Sequence, residues 1–230
     1  MYEPPRAGHE GADMTADGRF SVDRLPPLAT RVDEVLAGVR YDMAVAIDAI
    51  DAAVPGHGGL FDPATPVAEL RSALDGLSAA ALPEPPVPEP TGDAFVLCVD
   101  GSSRGNPGPA GAGAVILDAE GTQLARLGRP VGSRTDNNAA EYVALRLGLS
   151  ELLARYEPRE LEVRIDSMTV VRDVWGEDAP PESELETHSE AIGVDLSAVP
   201  AHTYTHLADS DPNPADALAT VGADIAALGP

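Results

Sequence analysis

The sequence predicts an α/β protein with a mixed sheet, preceded by a small helical hairpin. Two observations lead to this fold class. Between residues 94 and 230, three strand-length apolar runs follow one another and then alternate with helical patterns. Before residue 83, the apolar residues recur at helical spacing.

Composition is typical of a folded protein. The chain has 230 residues, which fit one domain with additional chain or two small domains, and 43% of them are hydrophobic. No secretory signal opens the sequence, and no apolar stretch approaches the roughly 20 residues that span a bilayer. The single cysteine, Cys98, excludes a disulfide framework and a multi-cysteine metal site. We therefore expect a soluble, cytoplasmic protein with no membrane partner.

The charge is strongly negative. There are 38 acids against 15 bases, a formal net charge of −23, and every base is Arg. Such a chain should repel nucleic acid, whose affinity normally comes from basic side chains that displace counterions. Two explanations compete. GC-rich coding explains Arg in place of Lys but not the excess of acids. A halophilic origin explains the acids, because the Debye length falls to about 3 Å at 1 M salt, and we favour it.

A proline-rich segment divides the chain. Residues 83–93, PEPPVPEPTGD, contain five prolines and predict a stiff, extended linker. It separates a polar leader over 1–25, expected to be disordered, and a helical hairpin over 26–82 from a domain over 94–230.

Two apolar seams predict the hairpin. One runs over residues 32–53 with spacings of three and four, and the other runs over 67–81. The segment PGHGG at 55–59 separates them. Two helices make a thin core, so the hairpin needs a third surface: the C-terminal domain, a second copy, or a partner. We expect it to mediate self-association or protein contact and to move independently of the rest.

The C-terminal part alternates strand and helix patterns. Residues 176–198 are acidic and ambiguous, with room for one short helix. The other patterns predict strands at 94–99, 111–117, 123–131, 160–165 and 202–206, and helices at 138–156, 167–175 and 214–228.

Four acids stand where a core would not place them. Asp100 and Asp166 end predicted strands, and Glu141 and Asp216 begin predicted helices. Carboxylates at such positions can converge on one edge of a sheet, and a cluster of them cannot stay ionised without cations. Ligand sets made only of oxygen select Mg²⁺ or Mn²⁺ over zinc.

Each acid also has a structural explanation. Asp100 with Gly101 is an ordinary turn dipeptide. Glu141 has the spacing of a capping box after Asn138. Asp166 could cap the helix that follows it, and Asp216 could simply favour a helix N-terminus. Taken singly, the acids favour these explanations, but their order and context favour a common site.

Four motifs carry a family resemblance. In unbroken order over about 94–228, DGSSRGNPGPAGAG, TDNNAAEYVAL, LEVRIDSMTVV and THLADSDPNPADALA resemble the successive motifs of type 1 ribonuclease H. The resemblance implies a five-stranded mixed sheet flanked by helices. It also implies endonucleolytic cleavage of the RNA strand of RNA–DNA hybrids.

The resemblance implies a metal site as well. Asp100, Glu141, Asp166 and Asp216 match the metal-binding acids, which would hold two Mg²⁺ or Mn²⁺ ions about 3.5–4 Å apart. One ion would lower the pKa of the attacking water and the other would take charge on the departing 3′-oxygen. The products would carry 5′-phosphate and 3′-hydroxyl ends.

Further site residues follow from the same resemblance. His206, ten residues before the last acid, matches a loop histidine thought to help product leave or to shuttle a proton. Asn106, Asn137 and Asn138 match residues that contact the minor groove of the hybrid, where the 2′-hydroxyl marks the RNA strand.

The chain departs from the family in two places. The stretch 176–190 contains no Arg where many members have a basic helix or loop, and DSDPN differs from the usual loop before the last acid. Substrate contact would then depend on hydrogen bonds, on stacking by Trp175, and on Arg104 or Arg134.

A non-catalytic module that binds hybrids or a protein partner is the alternative function. The presence of all four acids favours the enzyme, because a binding module has no use for a costly carboxylate cluster. We expect residues 92–230 to fold alone and keep cleavage. Loss of the hairpin should then alter oligomeric state or stability.

Overall fold

A computed structural model describes residues 25–53, 66–77, 82–176, 185–208 and 210–229. Apart from its last residue, the leader predicted over 1–25 lies outside the described residues, as does most of the acidic stretch 176–190. None of the described helices is both long and apolar enough to cross a bilayer.

The described strands form one five-stranded mixed sheet in the order β3-β2-β1-β4-β5. Strands β1, β2 and β3 pair antiparallel, while β1, β4 and β5 pair parallel. The predicted five-stranded mixed sheet is confirmed. The strands are β1 (Ala94–Ser103), β2 (Gly108–Asp118), β3 (Gln123–Thr135), β4 (Glu160–Ile165) and β5 (Ala201–His206).

Helices cover both faces of this sheet. Alternate residues of β1 point to opposite faces, so Leu97 packs with α4 and α6 in one core while Cys98 packs with α7 and α1 in the other. The described helices are α1 (Pro27–Gly38), α2 (Met43–Ala53), α3 (Val67–Asp75), α4 (Asn137–Arg155), α5 (Met168–Trp175), α6 (Glu186–Ser197) and α7 (Asp216–Ala226).

Helix α7 lies very close to β2. A side chain at Gly111 would collide with the backbone of Ala219 and Ala223, so glycine is required there. This contact explains why β2 is rich in Gly and Ala, and it fixes the helix that begins at Asp216 against the sheet.

The single helix predicted over 32–53 is in fact two helices separated by a turn at 39–42. Arg40 and Tyr41 adopt positive φ angles of 54° and 62°, which usually favour glycine. The turn pairs with the outer edge of β3: Gly128 N–H donates to Tyr41 O over 3.0 Å, and Asp42 forms an antiparallel bridge with Leu127. These bonds offset the unfavourable backbone and protect an edge strand.

The third surface that the N-terminal helices need is the C-terminal part of the chain. Leu36 and Ile50 are buried in the core that contains Leu218 and Ile225 of α7. An ion pair also joins the turn at 39–42 to α4. Arg40 Nη2 and Nε donate to Glu151 Oε2 over 2.7 and 3.0 Å, respectively.

The proline-rich segment 83–93 contains neither helix nor strand, and hydrogen bonds join it to the domain that follows. Arg155 Nη1 donates to Pro86 O over 2.6 Å, and Tyr156 Oη donates to Pro88 O over 3.0 Å. Thr91 N–H donates to the buried carboxylate of Asp118 over 3.1 Å. Independent movement of the hairpin was expected from linker length alone; these bonds and the shared core instead hold it on the sheet.

Candidate active site

Three predicted acids lie together at one edge of the sheet. Oxygen atoms of Asp100, Glu141 and Asp166 lie within 4.8 Å of one another. Strands β1 and β4 are parallel neighbours, so Asp100 near the end of β1 and Asp166 just after β4 reach the same edge. Asp100 and Glu141 are buried, whereas Asp166 is exposed and opens the cluster to solvent.

Glu141 reaches the cluster because α4 passes very close to β1. A Cβ at Gly101 would lie 2.5 Å from Glu141 N, so only glycine allows this approach. The N–H of Gly101 donates to the Glu141 carboxylate. The helix is capped by Asp136, whose Oδ1 accepts from Ala139 N over 2.7 Å. The capping-box explanation, with Asn138 as the cap, is therefore wrong.

The cluster is electrostatically unfavourable without a cation. Burial, followed by the charges of Asp166 and Asp216, raises the pKa of Asp100 to about 7. Burial, followed by the charges of Asp166 and Asp100, raises the pKa of Glu141 well above its ordinary value. Within the described chain, Glu141 Oε2 is buried without a hydrogen-bond partner. A buried carboxylate oxygen with no donor, in an oxygen-only set, fits a hard divalent cation.

Asp216 stands beside the other acids rather than among them. It begins α7, is exposed, and is not one of the three acids that lie within 4.8 Å of one another. It lines a cavity of about 520 Å³ with Asp100 and Asp166. After burial and the charge of Asp166, its charge contributes to the raised pKa of Asp100.

His206 is exposed at the end of β5. Its Nε2 lies 3.1 Å from the backbone oxygen of Asp166. A carbonyl only accepts, so Nε2–H donates in this contact. The ring thus lies beside the cluster, although His206 is not among the described residues that line the cavity.

The three asparagines lie near the N-terminus of α4. Asn137 N–H donates to Asn106 Oδ1 over 3.4 Å, and Ser103 Oγ donates to Asn137 Oδ1 over 3.4 Å. Asn138 is the next residue of the helix. The structure therefore brings Asn106, in the loop between β1 and β2, against Asn137 on the helix that carries Glu141.

Two other residues that the sequence predicts to contact the substrate, Trp175 and Arg104, already have partners within the chain. Trp175 Nε1 donates to His202 Nδ1 over 3.2 Å, and its ring lies 5.3 Å from that of Tyr204. Arg104 forms an ion pair with Asp224 of α7. By contrast, Arg134 is exposed, and no ion pair to it is found within the described chain.

Sequence reasoning missed Asp211 and Asn213, which line the same cavity. Asp211 Oδ2 accepts from Ala208 N over 2.9 Å. The sequence feature that could have identified Asn213 is its place between two prolines, three residues before Asp216, which is typical of a turn.

Comparison with known proteins agrees with this geometry. Residues 98–222 match the family model described as reverse transcriptase-like. The N-terminal RNase H domain of Rv2228c from Mycobacterium tuberculosis is 34% identical, with a TM-score of 0.55 over 59% of this chain and 97% of that domain. The chain belongs to the type 1 ribonuclease H family.

Two further relatives are informative. Ribonuclease HI of Halobacterium salinarum is 35% identical over 125 residues, which are 54% of this chain and 62% of that protein. LC11-RNase H1, solved in complex with an RNA/DNA hybrid, is 33% identical, with a TM-score of 0.54 over 58% of this chain and 99% of that one. The chain thus spans less than two thirds of the Halobacterium protein, and 22% of the mycobacterial bifunctional protein Rv2228c.

Proposed function

We propose that this chain is a ribonuclease H that cleaves the RNA strand of RNA–DNA hybrids with divalent cations. The observation that carries the proposal is the carboxylate cluster of Asp100, Glu141 and Asp166, with a buried, unpaired oxygen on Glu141. Family membership supports the reaction, and the hybrid bound to LC11-RNase H1 supports the substrate.

Mg²⁺ or Mn²⁺ would be held by the three clustered acids together with Asp216. Two such ions would activate the attacking water and stabilise the departing 3′-oxygen, leaving 5′-phosphate and 3′-hydroxyl ends. Asp100 is central to this set, because the charges of both Asp166 and Asp216 act on it. The N–H of Gly101 donates one hydrogen bond to the Glu141 carboxylate, which favours its ionised form.

Hybrid recognition is assigned to the start of α4. Asn106, Asn137 and Asn138 would contact the minor groove, where the 2′-hydroxyl distinguishes RNA from DNA. Because Asn137 and Glu141 belong to one helix, that helix would hold the groove contact at a fixed distance from Glu141. Arg134, exposed at the end of β3, is the better candidate for a phosphate contact, because Arg104 is paired with Asp224.

His206 is assigned to product release or proton transfer. Its hydrogen bond to the Asp166 backbone keeps the ring beside an acid of the cluster. It is exposed to solvent, whereas Asp100 and Glu141 are buried.

The test is a comparison of four labelled substrates: an RNA–DNA hybrid, duplex DNA, duplex RNA and single-stranded RNA. We expect the full chain to cut only the RNA strand of the hybrid, with Mg²⁺ or Mn²⁺ and molar KCl, and to be inactive in EDTA. Binding of the hybrid without cleavage under any of these conditions would favour the non-catalytic module. Equal cleavage of single-stranded RNA would contradict hybrid specificity.

A further inference from the structure

The side chain of Asn213 connects the end of β1 to the start of α7. Its Nδ2 donates to Val99 O over 2.9 Å, and its Oδ1 accepts from Ala215 N over 3.1 Å. The residue is half-buried and lines the cavity of the acidic cluster. One amide therefore bonds to two separate backbone segments at this site.

Each of those segments carries an acid. Val99 directly precedes Asp100, and Ala215 directly precedes Asp216. In addition, Asp216 N–H donates to the backbone oxygen of Asn213 over 3.2 Å. Loss of the Asn213 amide would thus change the position of Asp216 relative to Asp100.

The other acids have different supports. Asp100 and Asp166 lie at the ends of paired parallel strands, and Glu141 accepts from Gly101 N–H. Asp216 lies in an exposed first turn, outside the group of three. Packing holds α7 along the sheet, and the hydrogen bond from Asn213 to Val99 O joins the residues just before its first turn to β1.

We propose that Asn213 is a positioning residue that holds Asp216 against Asp100, so that the fourth carboxylate can serve the cations. This inference rests on the proposed metal site. Asn213 touches neither cation nor substrate in this role; it acts through Asp216.

Two substitutions separate its two hydrogen bonds. A serine can still accept from the N–H two residues ahead, as in a serine turn, but it is too short to reach Val99 O. Asn213→Ser therefore removes the hydrogen bond to Val99 O and keeps the hydrogen bond from Ala215 N–H, while Asn213→Ala removes both. Ser197→Ala is the matched control, because it removes one side-chain hydrogen bond to a carbonyl, that of Val194, on the distant helix α6.

The experiment is calorimetric titration of the metal-free full chain with Mn²⁺. We expect Asn213→Ser and Asn213→Ala each to weaken Mn²⁺ binding about tenfold, the ratio that one hydrogen bond is worth. Ser197→Ala should change it less than about twofold. In an Asp216→Asn background, Asn213→Ser should have no further effect, because the residue it positions is already neutral.

Two results would overturn the proposal. One is an unchanged Mn²⁺ affinity in both Asn213 variants. The other is that Asn213→Ser weakens Mn²⁺ binding equally in the wild-type and the Asp216→Asn backgrounds. Hybrid cleavage is the second readout, where kcat should fall and KM should not. A wild-type chain that binds Mn²⁺ but cuts no hybrid would contradict the proposed function only, since the titration still decides the role of Asn213. Should Asn213→Ala fail to fold, Asn213→Ser alone decides between these outcomes.

Discussion

Asp100 and Asp166 hold their carboxylates within 4.8 Å of each other at the ends of two adjacent parallel strands. Strands β1 and β4 are paired over residues 94–98 and 160–164, so the sheet keeps the two chain segments side by side up to two residues before each acid. Burial, together with the charge of Asp166, therefore raises the pKa of Asp100.

The metal-free protein should lose stability as the pH rises. Because the folded state raises the pKa of Asp100 from 3.8 to about 7, it favours the protonated carboxyl. That contribution is complete below pH 3.8 and is lost as the pH rises through about 7. We expect the free energy of unfolding of the wild type to fall relative to that of Asp100→Asn, by about 2–4 kcal/mol over this range.

Urea unfolding in EDTA at several pH values measures this difference. Added Mg²⁺ or Mn²⁺ should restore stability above pH 7 and have little effect near pH 4, because ligands must lose their protons to bind metal. A constant difference between the two proteins across this range would show that Asp100 titrates normally.

The N-terminal helices should unfold together with the sheet. Leu36 is fully buried in the core that contains Leu218 and Ile225, so Leu36→Ala should destabilise the whole chain by about 2–5 kcal/mol. Val67→Ala is the control: that side chain is 40% exposed, and the change should stay within about 0.5 kcal/mol. Circular dichroism and the fluorescence of Trp175 during urea unfolding give the measurement.

The result also decides the domain boundaries. A single transition seen by both probes would show that residues 26–82 belong to the folding unit of the sheet. Two separate transitions, with a stable remnant matching residues 92–230, would instead support the hairpin as an independent domain, as the sequence predicts.

Salt should stabilise and activate this protein. With a net charge of −23, the folded chain repels itself in dilute buffer, and salt screens that repulsion. We expect the thermal midpoint and hybrid cleavage both to rise from 0.1 M toward molar KCl. An ordinary nuclease loses hybrid affinity over this range through competition by counterions. A flat melting curve with peak activity near 0.1 M would contradict the halophilic interpretation.

Much of the fold could be predicted because strand and helix patterns are regular in the C-terminal part. The strand predicted over 160–165 is β4, and the helix predicted over 138–156 differs from α4 by one residue at each end. The turn at 39–42 was missed because Val39 and Met43 keep helical spacing across it, although Gly38 directly precedes the break. Its cause is pairing with β3, which no local pattern contains.

The candidate site was predicted in part for a similar reason. Motif order identified Asp100, Glu141 and Asp166, which the structure brings together. The contribution of Asn213 depends on its bond to Val99, 114 residues away in the chain, and spacing carries no such information.

Cleavage of a hybrid by Asp100→Asn tests the account most directly. The substitution is isosteric and removes the acid on which the charges of Asp166 and Asp216 both act. We expect a folded protein, shown by circular dichroism, that cuts the RNA strand at least about a thousandfold more slowly than the wild type in Mg²⁺ or Mn²⁺. Asp48→Asn, an exposed acid on α2, is the control and should cut normally. Cleavage by Asp100→Asn at a rate near that of the wild type would contradict the four-acid site.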